Sequence, residues 1–280
     1  MKYLLIFVVP LLLAGHVAAA TIDYSTIIAR GSELDGKSII VTDGMQGPAH
    51  VVIEPGVALT GLSVGGNSSV VMMGGSIDAD VNVHTYASFT MLDGDVGGLS
   101  ASGPVQLYIT GGSVAGLVMI RATRNTPGLP QANISGGAFG GNVVVGAGRL
   151  LITDGSFQQI QPESHGTVEI TGGKMTRINS FGESVVHYSG GEITGDFDIT
   201  AISGTIHVYG SNLVHQRHAL RLDGVLADGT VIENYYVSPS GARLVLHNVP
   251  EPSTLALALT ICFAIFLGLR RHGCHAGHSV

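Results

Sequence analysis

Glu169, His187 and His207 carry side chains able to ligate metal or move protons, and they follow one another at intervals of 18 and 20 residues. A carboxylate beside two imidazoles suits zinc or acid–base work, because neutral imidazole is the commonest metal ligand. Two Asp-x-Asp pairs, Asp78/Asp80 and Asp196/Asp198, put carboxylates two positions apart. In a strand that spacing sets both on one face about 6.6 Å apart, a separation suited to an inverting glycosidase or to weak Ca²⁺ binding. No Lys or Arg shares the Glu169/His187/His207 column, and neither Asp pair has a partner group. The chain holds no Ser/His/Asp order, phosphate loop or nucleotide motif. The expectation is therefore a solvated polar column and solvated turn carboxylates, with no catalytic, cofactor-binding or metal residue and no enzymatic activity.

The elements that position these residues form a repeat. The segment Val168-Glu169-Ile170-Thr171-Gly172-Gly173 recurs around Gly74, Asp93, Gly111, Gly136, Asp154, Gly172, Gly190 and Gly210, with most steps between 18 and 20 residues. One longer step holds Arg121–Gln131, which Pro127 and Pro130 mark as a loop insertion. Two positions before each of these glycines or aspartates stand Met72, Met91, Ile109, Ile134, Ile152, Ile170, Tyr188 and Val208. Four before stand Val70, Phe89, Leu107, Ala132, Leu150, Val168, Val186 and Ile206. Three after stand Ile77, Val96, Val114, Phe139, Phe157, Met175, Ile193 and Leu213. An apolar, any, apolar pattern is the period-two signature of a half-buried strand. The following Gly pair permits a sharp bend at positive φ, after which the next apolar residue turns inward.

One short strand per turn, stacked at fixed register, predicts an all-β right-handed parallel β-helix, a solenoid of about 18 residues per coil. Eight rungs at about 4.8 Å predict a rod near 38 Å long. A left-handed hexapeptide solenoid needs an apolar residue every six positions, and a calcium-binding nonapeptide roll needs Gly-Gly-x-Gly-x-Asp; neither pattern is present. In this frame Val71, Thr90, Tyr108, Asn133, Leu151, Glu169, His187 and His207 form one outward column. Thr110, Ser135, Thr153, Thr171 and Ser189 form a hydroxyl ladder along the rod. Residues 21–50 read as an N-terminal cap and first coil, 51–211 as the repeats and 212–249 as a C-terminal β cap. The strands expected in that cap are Leu220–Leu222, Val231–Val237 and Leu244–Leu246.

Composition agrees with such a body. Gly supplies 41 of 280 residues, only 12% are charged, and the formal net charge of -7 excludes a polybasic nucleic-acid protein. Both cysteines, Cys262 and Cys274, lie near the C-terminus, so the body has no disulfide framework. Residues 21–249 carry 10 Lys+Arg against 19 Asp+Glu, leaving −9.

The two ends read as addresses. Residues 1–20 combine Lys2, the apolar run Leu4–Leu13 and the small residues Ala18-Ala19-Ala20, the order of a secretory signal with cleavage specified by Ala18 and Ala20. At the other end Val249-Pro250-Glu251-Pro252-Ser253 precedes the apolar run Leu255–Leu269 and then Arg270-Arg271. A helix over 255–269 is marginal for a bilayer span, and the Arg pair would hold its end on the cytoplasmic side. Motif, apolar helix and basic cluster over 250–271 resemble the PEP-CTERM sorting signal of Gram-negative, exopolysaccharide-producing bacteria. The tail 272–280 runs past the basic cluster, where members of that family usually stop. Together with the sorting tail, the Gly-Gly repeats also resemble surface proteins of planctomycete-type bacteria.

The resemblance implies an exosortase-type membrane protease as partner, cutting near Pro250-Glu251-Pro252, and membrane contact through 255–269 before processing. It places the protein in the inner membrane transiently, then at the cell surface or in the extracellular, biofilm-type matrix. The expected role is structural, with exopolysaccharide as a possible partner. Two rivals stand on the same fold. A β-helix polysaccharide lyase or hydrolase requires titratable groups converging near Arg121 and Arg124. A glycan-binding adhesin requires exposed aromatics, for which Tyr108, Tyr235 and Tyr236 are the candidates.

Overall fold

The computed structural model describes residues 19–123, 127–194, 199–240 and 243–249, with side chains described outside 199–202 and 234–240. Every regular element among them is a strand, and no helix among them is long and apolar enough to cross a membrane. The strands stack in parallel into a solenoid of about nine turns whose partners lie about 19 residues apart. The expected all-β parallel solenoid is therefore the fold, with a coil slightly longer than the 18 residues read from the glycine spacing. The terminal helices expected over 1–20 and 255–269 fall almost wholly outside the described residues. Ala20 is described, and it opens the strand Ala20–Ile22, paired in parallel with Ile39–Val41.

The coils that follow Ser38–Val41 contain three strand segments, as in His50–Ile53, Ala58–Leu59 and Gly61–Val64, rather than the single one expected. In one coil Ser69–Met72 forms the first face, Ser76 and Ile77 the second, and Val81–Val83 the third. The next coil repeats this with Ser88–Met91, Asp95–Val96 and Leu99–Ser102. The third face has its own apolar ladder, in which Val81, Leu99, Val118 and Val143 stand in register. Its corner carries glycine pairs only in some coils, Gly97-Gly98 before Leu99 and Gly140-Gly141 before Val143, while Asp78-Ala79-Asp80 precedes Val81, so it lacks a constant glycine anchor.

All residues of the three apolar columns read from the sequence are buried, none more than 5% exposed. Two of them, Phe139 and Phe157, stack on the second face with ring centroids 4.8 Å apart and planes 8° from parallel. That separation equals the rise of one coil. Tyr188 is also fully buried, and its hydroxyl donates to the Gly191 carbonyl at 2.7 Å, so the core carries no unpaired phenol there.

The Gly-Gly corner works in two different ways at its two positions. A Cβ on Gly172 would overlap the carbonyl oxygen of Thr153 in the preceding coil, so the first position is restricted by space. Gly173 has φ +87°, so the second is restricted by conformation. Where Asp154 replaces the first glycine, its carboxylate accepts the Gly155 N–H at 2.7 Å and supports the same bend.

The corner fails once. After Gly210 the second glycine is replaced by Ser211, and the strand Thr205–Gln216 runs straight out of the coil. It pairs antiparallel with Arg221–Leu226, which pairs antiparallel with the first part of Val231–Ser240. The chain then rejoins the parallel stack. Val237 pairs with Ile199, and Arg243–Asn248 pairs with Thr205–Gly210, a step of 38 residues. The turn expected over 226–230 is present, with Gly229 N–H donating to Leu226 and Leu226 N–H to Thr230. The Arg121–Gln131 insertion also sits where expected. It lengthens one coil to 25 residues, so that Gln106 pairs with Gln131 and Val118 with Val143.

Candidate functional site

The outward column on the first face is longer than the sequence reading made it. Ile27, Val52, Val71, Thr90, Tyr108 and Asn133 stand in register on successive coils. Glu169, His187, His207 and Val245 continue the column at its other end. The stacking of Glu169, His187 and His207 on adjacent coils is thus present. Strand alternation turns each outward, while the apolar residues on either side of it face the core.

The three do not converge as a ligand set. The His187 Nδ1 lies 2.9 Å from the Tyr209 hydroxyl, and the His207 Nδ1 lies 2.9 Å from the His247 Nε2. The rings stack instead. His187 and His207 have centroids 5.0 Å apart, His207 and His247 5.1 Å, and Tyr209 and His247 4.4 Å with planes 8° from parallel. Among the described residues no group of three or more His, Cys, Asp or Glu side chains is placed to hold a metal ion.

Tyr209 and His247 were missed in the sequence for separate reasons. Tyr209 occupies the column that holds Thr or Ser in the five preceding coils, from Thr110 to Ser189, where it breaks the pattern. His247 lies 40 residues beyond His207, and only the return of Arg243–Asn248 to the stack brings it alongside.

The imidazole cluster has a definite electrostatic sign. Burial pushes the His207 pKa below its ordinary value, and the charges of His187, His247 and Arg243 act in the same direction. His215, in the excursion, shifts the same way through burial and then Arg217, and its Nε2 has no hydrogen-bond partner. The folded chain therefore binds these protons less tightly than the unfolded chain. Stability is expected to be full above about pH 6.5 and to fall as pH drops through that value toward the lower folded pKa values. Thermal unfolding between pH 7.5 and 5.0 checks this, and His207→Gln should flatten the profile. An unchanged slope in that variant would place the effect elsewhere.

Beside the cluster runs a groove of about 610 Å³, crossing the coils that begin with Gln131, Arg149, Thr167 and Val185 and reaching Tyr209 in the next. Asn133, Arg149, Leu151, Glu169, His187 and Tyr209 line it, and Val249 closes one end. The groove lies on the first face. Arg121, expected to frame an enzymatic groove, is exposed at the end of the strand Val118–Arg121 and does not line it. Arg124 lies outside the described residues.

The remaining sequence candidates are dispersed. Asp78 and Asp80 are exposed at a corner together with Ala79, and Asp196 and Asp198 lie outside the described residues. Part of the hydroxyl ladder bonds to the preceding coil, while Ser135 and Thr153 are exposed. Thr171 Oγ donates to Ile152 O at 3.2 Å and Ser189 Oγ to Ile170 O at 3.2 Å, tying these two coils to the backbone of the one before. Tyr108 is 41% exposed, whereas the side chains of Tyr235 and Tyr236 are not described. Of the sorting residues, Val249 is 45% exposed; Pro250, Glu251, Pro252, Ser253, Arg270 and Arg271, and Ala18 of the cleavage site, lie outside the described residues. Compared with known proteins, the chain matches no family model, no curated protein and no solved structure.

Proposed function

We propose that the chain is an exported structural protein of the cell surface or extracellular matrix, sorted and processed by an exosortase-type protease through Val249–Ser253. Its body is a right-handed parallel β-helix, the hand that nearly all parallel crossover connections adopt because strands twist right-handedly. The observation that carries this reading is where the rod stops relative to the motif. Arg243–Asn248 is the last strand of the stack, and the Val249 N–H donates to the Gly210 carbonyl at 2.6 Å. Pro250 follows at once in the sequence, and proline has no N–H to donate to a ladder. The Pro-Glu-Pro motif follows in the sequence directly after the last described strand, the order that a sorting tail behind a folded body requires.

Expression in an exopolysaccharide-producing host that has an exosortase tests the proposal. Intact mass is expected to show loss of residues 1–20 and of everything after about Pro252, with the product in the matrix fraction. A chain intact through Val280 and held in the membrane fraction would overturn processing and leave a plain anchor. The groove beside His187 and Tyr209 favours one second reading, a surface protein that holds glycan, and it supplies no comparable support for a lyase or hydrolase.

A further inference from the structure

We infer that the groove lined by Asn133, Arg149, Leu151, Glu169, His187 and Tyr209 binds a linear, uncharged polysaccharide lying along the rod axis. This deepens the surface-protein reading by naming a ligand class, while its test does not depend on whether the C-terminal segment is cut. Four coil-to-coil steps separate the Gln131 end from Tyr209, so the groove runs about 19 Å along the rod. The column presents one outward side chain per coil, Asn133, Leu151, Glu169 and His187 in turn, so a ligand extended along the rod meets a new group at each step. Leu151 and the outward edges of the Tyr209 and His187 rings, whose faces stack on His247 and His207, supply apolar surface for the C–H groups of sugar rings. Asn133, Arg149 and Glu169 supply donors and acceptors for ring hydroxyls on the neighbouring coils.

Two competing ligand classes fit less well. An extended polypeptide would bring backbone N–H and C=O groups that need partners, and strands add to free sheet edges. The edges beneath this groove are already engaged, because its strands pair with neighbours above and below, as in Gln131 with Gln106, Thr167 with Val185 and Thr205 with Arg243. A polyanion meets a chain of net charge -7, and the groove lining holds one carboxylate, Glu169, and one guanidinium, Arg149.

The test uses the purified full-length chain in mild detergent, with affinity electrophoresis and calorimetry against dextran, laminarin and galactomannan. Alginate serves as the acidic comparator and carboxymethylated casein as an unfolded polypeptide. At least one neutral polymer is expected to bind. Leu151→Arg, which fills the groove from a half-buried outward position, should weaken that binding at least 10-fold with unchanged thermal unfolding. Tyr209→Ala should weaken it similarly and Tyr209→Phe should restore it, which separates contact with the ring from the hydroxyl's bond to His187. Failure of all three neutral polymers to bind, full binding by Leu151→Arg, or preference for alginate or casein would overturn the inference. None of those results touches the processing proposal, which is read from mass and fractionation.

Discussion

Gly172→Val is expected to lower the thermal midpoint by at least about 6 °C and to cost about 3 kcal/mol or more. The new Cβ would meet the Thr153 carbonyl oxygen, with the Thr153 carbonyl carbon 3.1 Å away. Both belong to the backbone of the preceding coil. They cannot withdraw without breaking the parallel ladder on the first face, so the strain has no flexible side chain to absorb it. Thr171→Val, one residue away, is the control. It removes only the 3.2 Å bond from the Thr171 hydroxyl to Ile152 and should cost about 1 kcal/mol. Circular dichroism melts of the two variants decide the matter. A midpoint change for Gly172→Val no larger than for its neighbour would mean that the coils are not in close backbone contact at this corner.

Phe157→Ala is expected to cost about 3–5 kcal/mol, the usual range for emptying a fully packed aromatic site. The ring is 3% exposed and stacked on Phe139 at 4.8 Å. Because each coil of a solenoid is stabilised mainly by its neighbours, deletion of one ring also strips a face from the other. The double variant Phe139→Ala/Phe157→Ala should therefore fall short of the sum of the single losses by about 0.5–1.5 kcal/mol. Urea unfolding of the wild type, both single variants and the double closes this cycle. Additivity within about 0.3 kcal/mol would show that the stack contributes burial but no ring–ring energy.

Sequence alone determined the parts of this protein that depend on local chemistry repeated many times. Met72, Ile109 and Ile170 are buried because a strand alternates its faces, and alternation is visible in any single rung. Gly173 and its equivalents Gly112 and Gly191 take positive φ because only glycine does so without penalty, and their pairs mark each corner. The insertion after Arg121 is legible for the same reason: two prolines interrupt a rhythm already established.

Tertiary structure decided whatever depends on which coil lies beside which. The third face, with Val81 against Leu99 and Val118, has the right alternation, but glycine pairs precede it only in some coils, as Gly97-Gly98 does before Leu99, so no constant anchor gives it phase. Ser211 in place of a corner glycine sends the chain into an antiparallel excursion, and that detour hides the partner of His207 from any fixed-period reading. His247 then arrives from 40 residues away, turning an apparent Glu/His/His ligand column into a stack of rings. The groove beside it follows from the same cause. Its walls come from coils whose alignment is set by backbone pairing over long separations, and no local propensity encodes that alignment.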